Sequence, residues 1–87
     1  MSCEKHAVKI EGYTIKELAA AVGDLRYDVL TEFLNELSEK LKSDSKKDMA
    51  GNRVRLATSL LQASHSVMNA KVMISVAWKI SEKHMKI

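Results

Sequence analysis

Apolar residues recur at three- and four-residue spacing along most of this chain, the period of amphipathic helices. The longest such stretch runs from Asn52 to about His84 without a proline or glycine. In its first half Leu56, Ala57, Leu60, Ala63, Val67 and Ala70 form one stripe, with Arg55, Thr58, Ser59, Gln62, Ser66 and Asn69 opposite. After Lys71 the polar side turns apolar through Val72, Met73, Val76, Ala77 and Ile80, while Ile74 and Trp78 prolong the first stripe. A helix with two differently aimed apolar sides needs two neighbours.

A second stripe, Leu25, Val29, Leu30, Phe33, Leu34, Leu37 and Leu41, predicts a helix over 25–42 with Asp24 as its N-cap. Glu36 and Lys40 make a favourable i,i+4 pair on its exposed side. The polar run 43–48 reads as the connection to the long helix, with Gly51-Asn52 a second irregularity before it. Upstream, Thr14 and Glu17 have the spacing of a capping box, flanked by a Tyr13–Leu18 hydrophobic staple. They open a short helix over 15–22 that stops at Gly23 in a left-handed cap. Within residues 1–12 the stretch from His6 to Ile10 alternates weakly, and the segment reads as a flexible or extended arm or a short strand.

The expected fold is all-α: one domain over 1–87, a short helix followed by an antiparallel helical hairpin with a long C-terminal helix, assembling as a helical-bundle oligomer. The oligomer follows from lengths. About 33 residues span roughly 50 Å and about 18 cover roughly 27 Å, so the end of the long helix projects past its neighbour. That overhang carries Val72, Met73, Val76, Ala77, Trp78 and Ile80, the expected interface of a homodimer.

Composition narrows the class. An apolar fraction of 46% is ordinary for a folded chain, and three glycines with no proline favour long elements. The single cysteine, Cys3, excludes an intrachain disulfide and suits a reducing compartment. With charged residues interrupting the N-terminal stretch and no apolar run approaching the length of a membrane span, the expected location is the cytoplasm, with no membrane partner. The net charge of +3 is unevenly placed: residues 1–45 sum to −3 and residues 46–87 to +6. Neighbouring acidic and basic helices would neutralise each other, whereas a basic surface would suit nucleic acid or an acidic partner.

Candidate chemistry is sparse. Ile15, Leu18, Ala19, Gly23, Val29 and Phe33 have roughly the spacing of a helix-turn-helix core. The stretch from Thr14 to about Lys42 resembles, in outline, the helix-turn-helix of winged-helix regulators, which implies DNA reading by the second helix. Asp24 departs from the apolar turn residue usual there, and a long third helix leaves no place for a wing. The would-be recognition helix also carries a ridge of Asp28, Glu32, Glu36 and Glu39, which opposes phosphate contacts and instead suits a basic protein partner. Cys3-x-x-His6 is half a zinc-site spacing, and the remaining ligands would have to come from distant His65 and His84. No glycine-rich phosphate loop or nucleophile–base pairing is present, so no catalytic residue, metal or cofactor is expected. Met68 reads as core, Met73 as equally suited to packing or binding. Ala57, Ala63, Ser64, Ala70 and Ala77 imply close helix–helix approach, near the lower end of the usual ~8–10 Å spacing.

The function expected is that of a small non-enzymatic cytoplasmic protein–protein interaction module, self-associating through its C-terminal helix. The alternative is a nucleic-acid-binding regulator using the helix-turn-helix-like half or the basic residues Lys46, Lys47, Arg53, Arg55, Lys79, Lys83 and Lys86. A small-molecule-binding module would need a cavity near Trp78 and Met73.

Overall fold

The computed structural model describes residues 7–84, His84 through its backbone alone. It is all-helical: α1 spans Ile15–Gly23, α2 Tyr27–Ala50 and α3 Val54–His84. Cys3 and His6, with most of the expected arm, lie outside the described residues. What is described of the arm is a tight turn, in which the Tyr13 amide donates to the Ile10 carbonyl at 3.2 Å and Gly12 takes φ +88°. A side chain at that φ would be strained, so glycine suits the turn.

The capping box forms as its spacing predicts. The Glu17 amide donates to Thr14 Oγ1 at 3.0 Å, and the Thr14 amide donates to Glu17 Oε1 at 2.9 Å. The other end of α1 differs from expectation. Gly12 is the glycine with positive φ among the described residues, so Gly23 is an ordinary last helical residue, and the Asp24 amide closes the turn onto the Ala20 carbonyl at 3.0 Å. Asp24 does not cap α2 either. Arg26 holds the N-cap position without a side-chain capping bond, and Asp28 Oδ1 accepts from the Val29 amide at 2.9 Å.

The polar run 43–48, expected as a linker, is helical, and α2 continues to Ala50. No glycine or proline interrupts it, Lys40 and Asp44 form an i,i+4 ion pair across its start, and Ser45 and Asp48 are buried. The chain reverses at the site marked only as an irregularity. The Arg53 amide donates to the Asp48 carbonyl at 2.8 Å and the Asn52 amide to the Met49 carbonyl at 3.0 Å. With Asn52 at φ 64°, this is a Schellman stop, and asparagine tolerates its left-handed position. Arg53 Nε then donates to the buried Asp48 carboxylate at 2.8 Å, pinning the turn to the end of α2.

Contacts between α2 and α3 run in opposite sequence directions: Ser45 with Ala57, Ser38 with Ser64, Asn35 with Lys71, Arg26 with Trp78. On α2 the facing positions are Thr31, Leu34, Ser38, Leu41, Ser45 and Asp48, all at least half-buried. On α3 they are Ala57, Leu60, Ser64, Val67, Lys71, Ile74, Trp78 and Ser81, likewise. Both sets keep strict 3–4 heptad spacing, the signature of a coiled seam.

Small residues occupy the closest part of this seam. The Ser64 hydroxyl donates to the Ser38 carbonyl at 2.9 Å, and the Ser38 hydroxyl lies 3.0 Å from both the Ser64 carbonyl and the Ser64 hydroxyl. The Ser45 hydroxyl donates to the Ala57 carbonyl at 2.7 Å. A serine reaches a neighbouring helix's backbone only when the axes lie near the low end of the ~8–10 Å range. Spacing this short leaves no room for large side chains at the Ser38–Ser64 and Ser45–Ala57 layers, while Leu34, Leu41, Leu60, Val67, Ile74 and Trp78 take the other seam positions without being fully buried. Ala57 is accordingly the one fully buried apolar residue among those described, and Ser38, Ser45, Ser64 and Asp48 are the other buried ones.

Two predictions follow from this packing. Ser38→Ala should lower stability by about 1 kcal/mol through lost buried hydrogen bonds. Ser38→Leu should cost more, about 1–3 kcal/mol beyond that, because the added volume pushes the helices apart. Denaturant melts in the order wild type, alanine, leucine are the expected result, and a leucine variant as stable as wild type would show that the helices are not held at close range.

The second concerns α1, which touches the other helices only marginally. Thr14→Ala should destabilise α1 by roughly 1 kcal/mol, visible as amide exchange about fivefold faster over 15–23 with the main melt unmoved. The backbone hydrogen bond from Thr14 holds the Glu17 carboxyl below its ordinary value of 4.5. A depressed carboxylate supports the fold above its unfolded pKa and loses that support as pH falls through the folded value. Protection factors over 15–23, with the pH dependence of intrinsic exchange divided out, should therefore fall below about pH 4.5.

Candidate interaction surface

With the seam fixed by contacts, helical periodicity assigns the remaining side chains to two broad faces and two outer edges. One broad face carries Leu30, Phe33 and Leu37 from α2 beside Ala70, Met73, Ala77 and Ile80 from α3. Leu30 and Ala77 are half-buried there, and the rest are exposed, Met73 at 67% and Ile80 at 57%. The opposite face carries Asp28, Glu32, Asn35, Glu39, Lys42 and Met49 from α2 beside Val54, Leu61, His65, Met68 and Val72 from α3. Val29, Glu36 and Val76 point outward along the edges. Away from the turn the first face is apolar across both helices, and toward the turn its α2 side continues through Lys40, Asp44 and Lys47, whereas the second mixes charged and apolar positions.

This arrangement redistributes the residues expected at an oligomer interface. Met73, Ala77 and Ile80 share the apolar face, Val72 lies on the opposite one, Val76 on an edge, and Trp78 in the seam. The overhang that grouped them does not exist. At 24 residues α2 reaches about 36 Å, and its N-terminus at Arg26 already stands beside Trp78, so α3 extends past it only from about Lys79 onward. These residues are exposed because the structure is one helix layer thick. Its extents are 54 × 28 × 13 Å, and the shortest is about one helix diameter.

The acidic ridge is likewise divided. Glu32 and Glu39 lie on the charged broad face and Glu36 on an edge, all exposed. Asp28 is half-buried and gripped by Arg26, whose Nε and Nη2 donate to its two carboxylate oxygens at 2.7 and 2.8 Å. The Arg26 hydrogen bond holds the Asp28 carboxyl below its ordinary range, and the same bond raises Arg26.

Arg26 also lies over the Trp78 ring, 5.4 Å from its centroid, within cation–π range. An open cleft of about 340 Å³ lies here, lined by Gly23, Asp24, Leu25, Arg26, Tyr27, Trp78 and Ser81. Met73, paired with Trp78 in the small-molecule reading, does not line it. The helix-turn-helix core is not assembled: α1 is only marginally packed, and Val29 and Phe33 are exposed rather than seated beneath it. Basic residues gather at the turn, where Lys42, Lys46, Lys47, Arg53 and Arg55 lie within fourteen residues of sequence. Among the described residues no group of three or more His, Cys, Asp or Glu is placed to hold a metal ion, and no helix is long and apolar enough to cross a membrane. His65 is exposed on the charged face, far in sequence from any partner ligand.

Compared with family models, with curated proteins and with solved structures, the chain matches none.

Sequence periodicity did not mark the apolar broad face as a surface, because Leu30, Phe33 and Leu37 satisfy the same spacing as a core stripe. The available signal was Ser38 and Ser45 at heptad spacing opposite Ala57 and Ser64, a run of small residues on both helices.

Trp78 is the only tryptophan, so its emission reports on the Arg26 lid. Arg26→Ala should expose the indole, shifting emission to the red and raising acrylamide quenching. Unchanged emission and quenching would mean that the guanidinium does not cover the ring.

Proposed function

We propose that this chain is a non-enzymatic protein–protein interaction module, an antiparallel helical hairpin that self-associates to obtain a core it cannot build alone. The observation that carries this reading is the single-layer packing. A folded chain that fully buries only Ala57 among its described apolar residues, and exposes Phe33, Met73 and Ile80, needs a second surface.

Size supports the same reading. The chain exposes 7122 Å², against roughly 5,100 Å² for a compact monomer of its mass, and its radius of gyration is 15.8 Å against roughly 12 Å. The surplus of about 2,000 Å² exceeds the roughly 800 Å² per partner that a standard interface removes. The polar groups inside the structure serve the helix contact itself: Ser38, Ser45 and Ser64 bond to backbone across the seam, and Asp48 holds Arg53. A cytoplasmic setting suits a chain with one cysteine.

The basic residues around the turn favour a second reading, nucleic-acid binding by that end of the molecule. Light scattering and a salt series separate the two. Self-association predicts a mass near twice 9.7 kDa at micromolar concentration, and Met73→Glu with Ile80→Glu should return it toward one chain mass. Nucleic-acid binding predicts instead a gel shift with generic duplex DNA at low ionic strength that salt abolishes. A wild-type chain that scatters as one copy at every concentration tested removes the self-association reading.

A further inference from the structure

We infer that the occupant of the apolar broad face is the same face of a second copy, with the charged broad face turned outward. The inference rests on the self-association reading and goes further by naming the side on which it happens. Leu61, Met68 and Val72 give the charged face apolar content of its own, so hydrophobicity alone does not choose between the two.

Charge decides it. Leu30, Phe33, Leu37, Ala70, Met73, Ala77 and Ile80 form a patch with no ionisable side chain. Laying such a patch against its own image brings no like charges together. The opposite face carries Glu32, Glu39, Lys42 and Lys46, all exposed, and beside them Asp28 already committed to Arg26. Pairing that face with itself would strip water from Glu32, Glu39, Lys42 and Lys46 together, a desolvation cost that ion pairing across the gap only partly offsets, whereas the apolar patch desolvates no charge. Toward the turn the apolar face is rimmed by Lys40, Asp44 and Lys47. Lys40 is already ion-paired to Asp44, and such long side chains keep their heads in water while their stems cover apolar surface.

Area and shape agree with that choice. The patch spans both helices, so docking two copies face to face stacks two helix layers into a four-helix arrangement. At the usual ~10 Å between layers, every side chain of the patch becomes interior. The exposed surplus of the single chain is sufficient for such a contact.

The test compares two sequence neighbours that point to opposite faces. Met73 lies on the apolar face and Val72 on the charged one, both exposed. Met73→Glu should weaken the dimer at least about thirtyfold by sedimentation or light scattering, while Val72→Glu should leave it within about threefold. Because a glutamate variant could lose helicity along with its partner, a benzophenone amino acid at each position reads the contact in the otherwise native chain. The probe at position 73 should yield a covalent dimer attached within α2 or α3 of the second copy, and the probe at 72 should not. A dimer that resists Met73→Glu, or that cross-links from 72 and not from 73, overturns the choice of face while leaving self-association standing. A chain that never dimerises overturns both.

Discussion

The rest of the structure depends on how closely α2 and α3 approach. Two helices come close enough for a serine hydroxyl to reach the neighbouring backbone only where the facing residues are small. Here Ser38 and Ser64 bond reciprocally, and Ser45 bonds to the Ala57 carbonyl. That proximity keeps large side chains out of the two closest layers, and Leu30, Phe33, Leu37, Met73 and Ile80 lie on the flanks. The result is a layer 13 Å thick whose apolar residues look outward. Close packing between the helices and the missing core are therefore one fact.

Polar contacts contribute modest net stability, about 1 kcal/mol each, but they discriminate strongly between registers. Sliding α3 by one heptad would set Ser38 against Lys71 and leave buried hydroxyls facing a desolvated ammonium. In the observed register Lys71 Nζ donates to Asn35 Oδ1 at 3.1 Å, where the seam is more open. At the far end Trp78 fills the seam under Arg26. Small residues by the turn and larger ones away from it fix one alignment of the pair.

The local features of this fold were legible in the sequence because local chemistry specifies them. Thr14 and Glu17 form their capping box, and α3 runs unbroken from Val54 because nothing in it stops a helix. The small residues of α3 correctly implied close approach. What periodicity concealed was the direction of the α2 stripe. Leu30, Phe33 and Leu37 have core spacing, yet the inward positions include Thr31, Ser38 and Ser45, whose hydroxyls satisfy themselves on backbone oxygens and leave no hydrophobic signal. The same residues explain the misread linker. A run of Ser, Asp and Lys resembles a loop by composition, but Ser45 and Asp48 are seam positions, and the reversal belongs to Gly51-Asn52. Correcting that boundary lengthens α2 and removes the overhang on which the first argument for a dimer stood.

Without the overhang, the proposed association becomes a matter of folding as well as surface. Ordering a residue's backbone costs about 1–2 kcal/mol, and that cost is normally offset by apolar area removed from water. A helix pair that fully buries only Ala57 among its described apolar residues, and leaves Leu34, Leu41, Leu60, Val67, Ile74 and Trp78 partly exposed, offsets less of it within one chain than a closed core would. The proposed contact would supply the burial from outside, so folding and association would be linked, and stability would rise with concentration. In such a scheme the serine seam holds two helices in one plane and one register, which presents Leu30, Phe33 and Met73 together on one face. The apolar residues then provide the affinity, and the cost of desolvating Glu32, Glu39 and Lys42 opposes pairing through the wrong side.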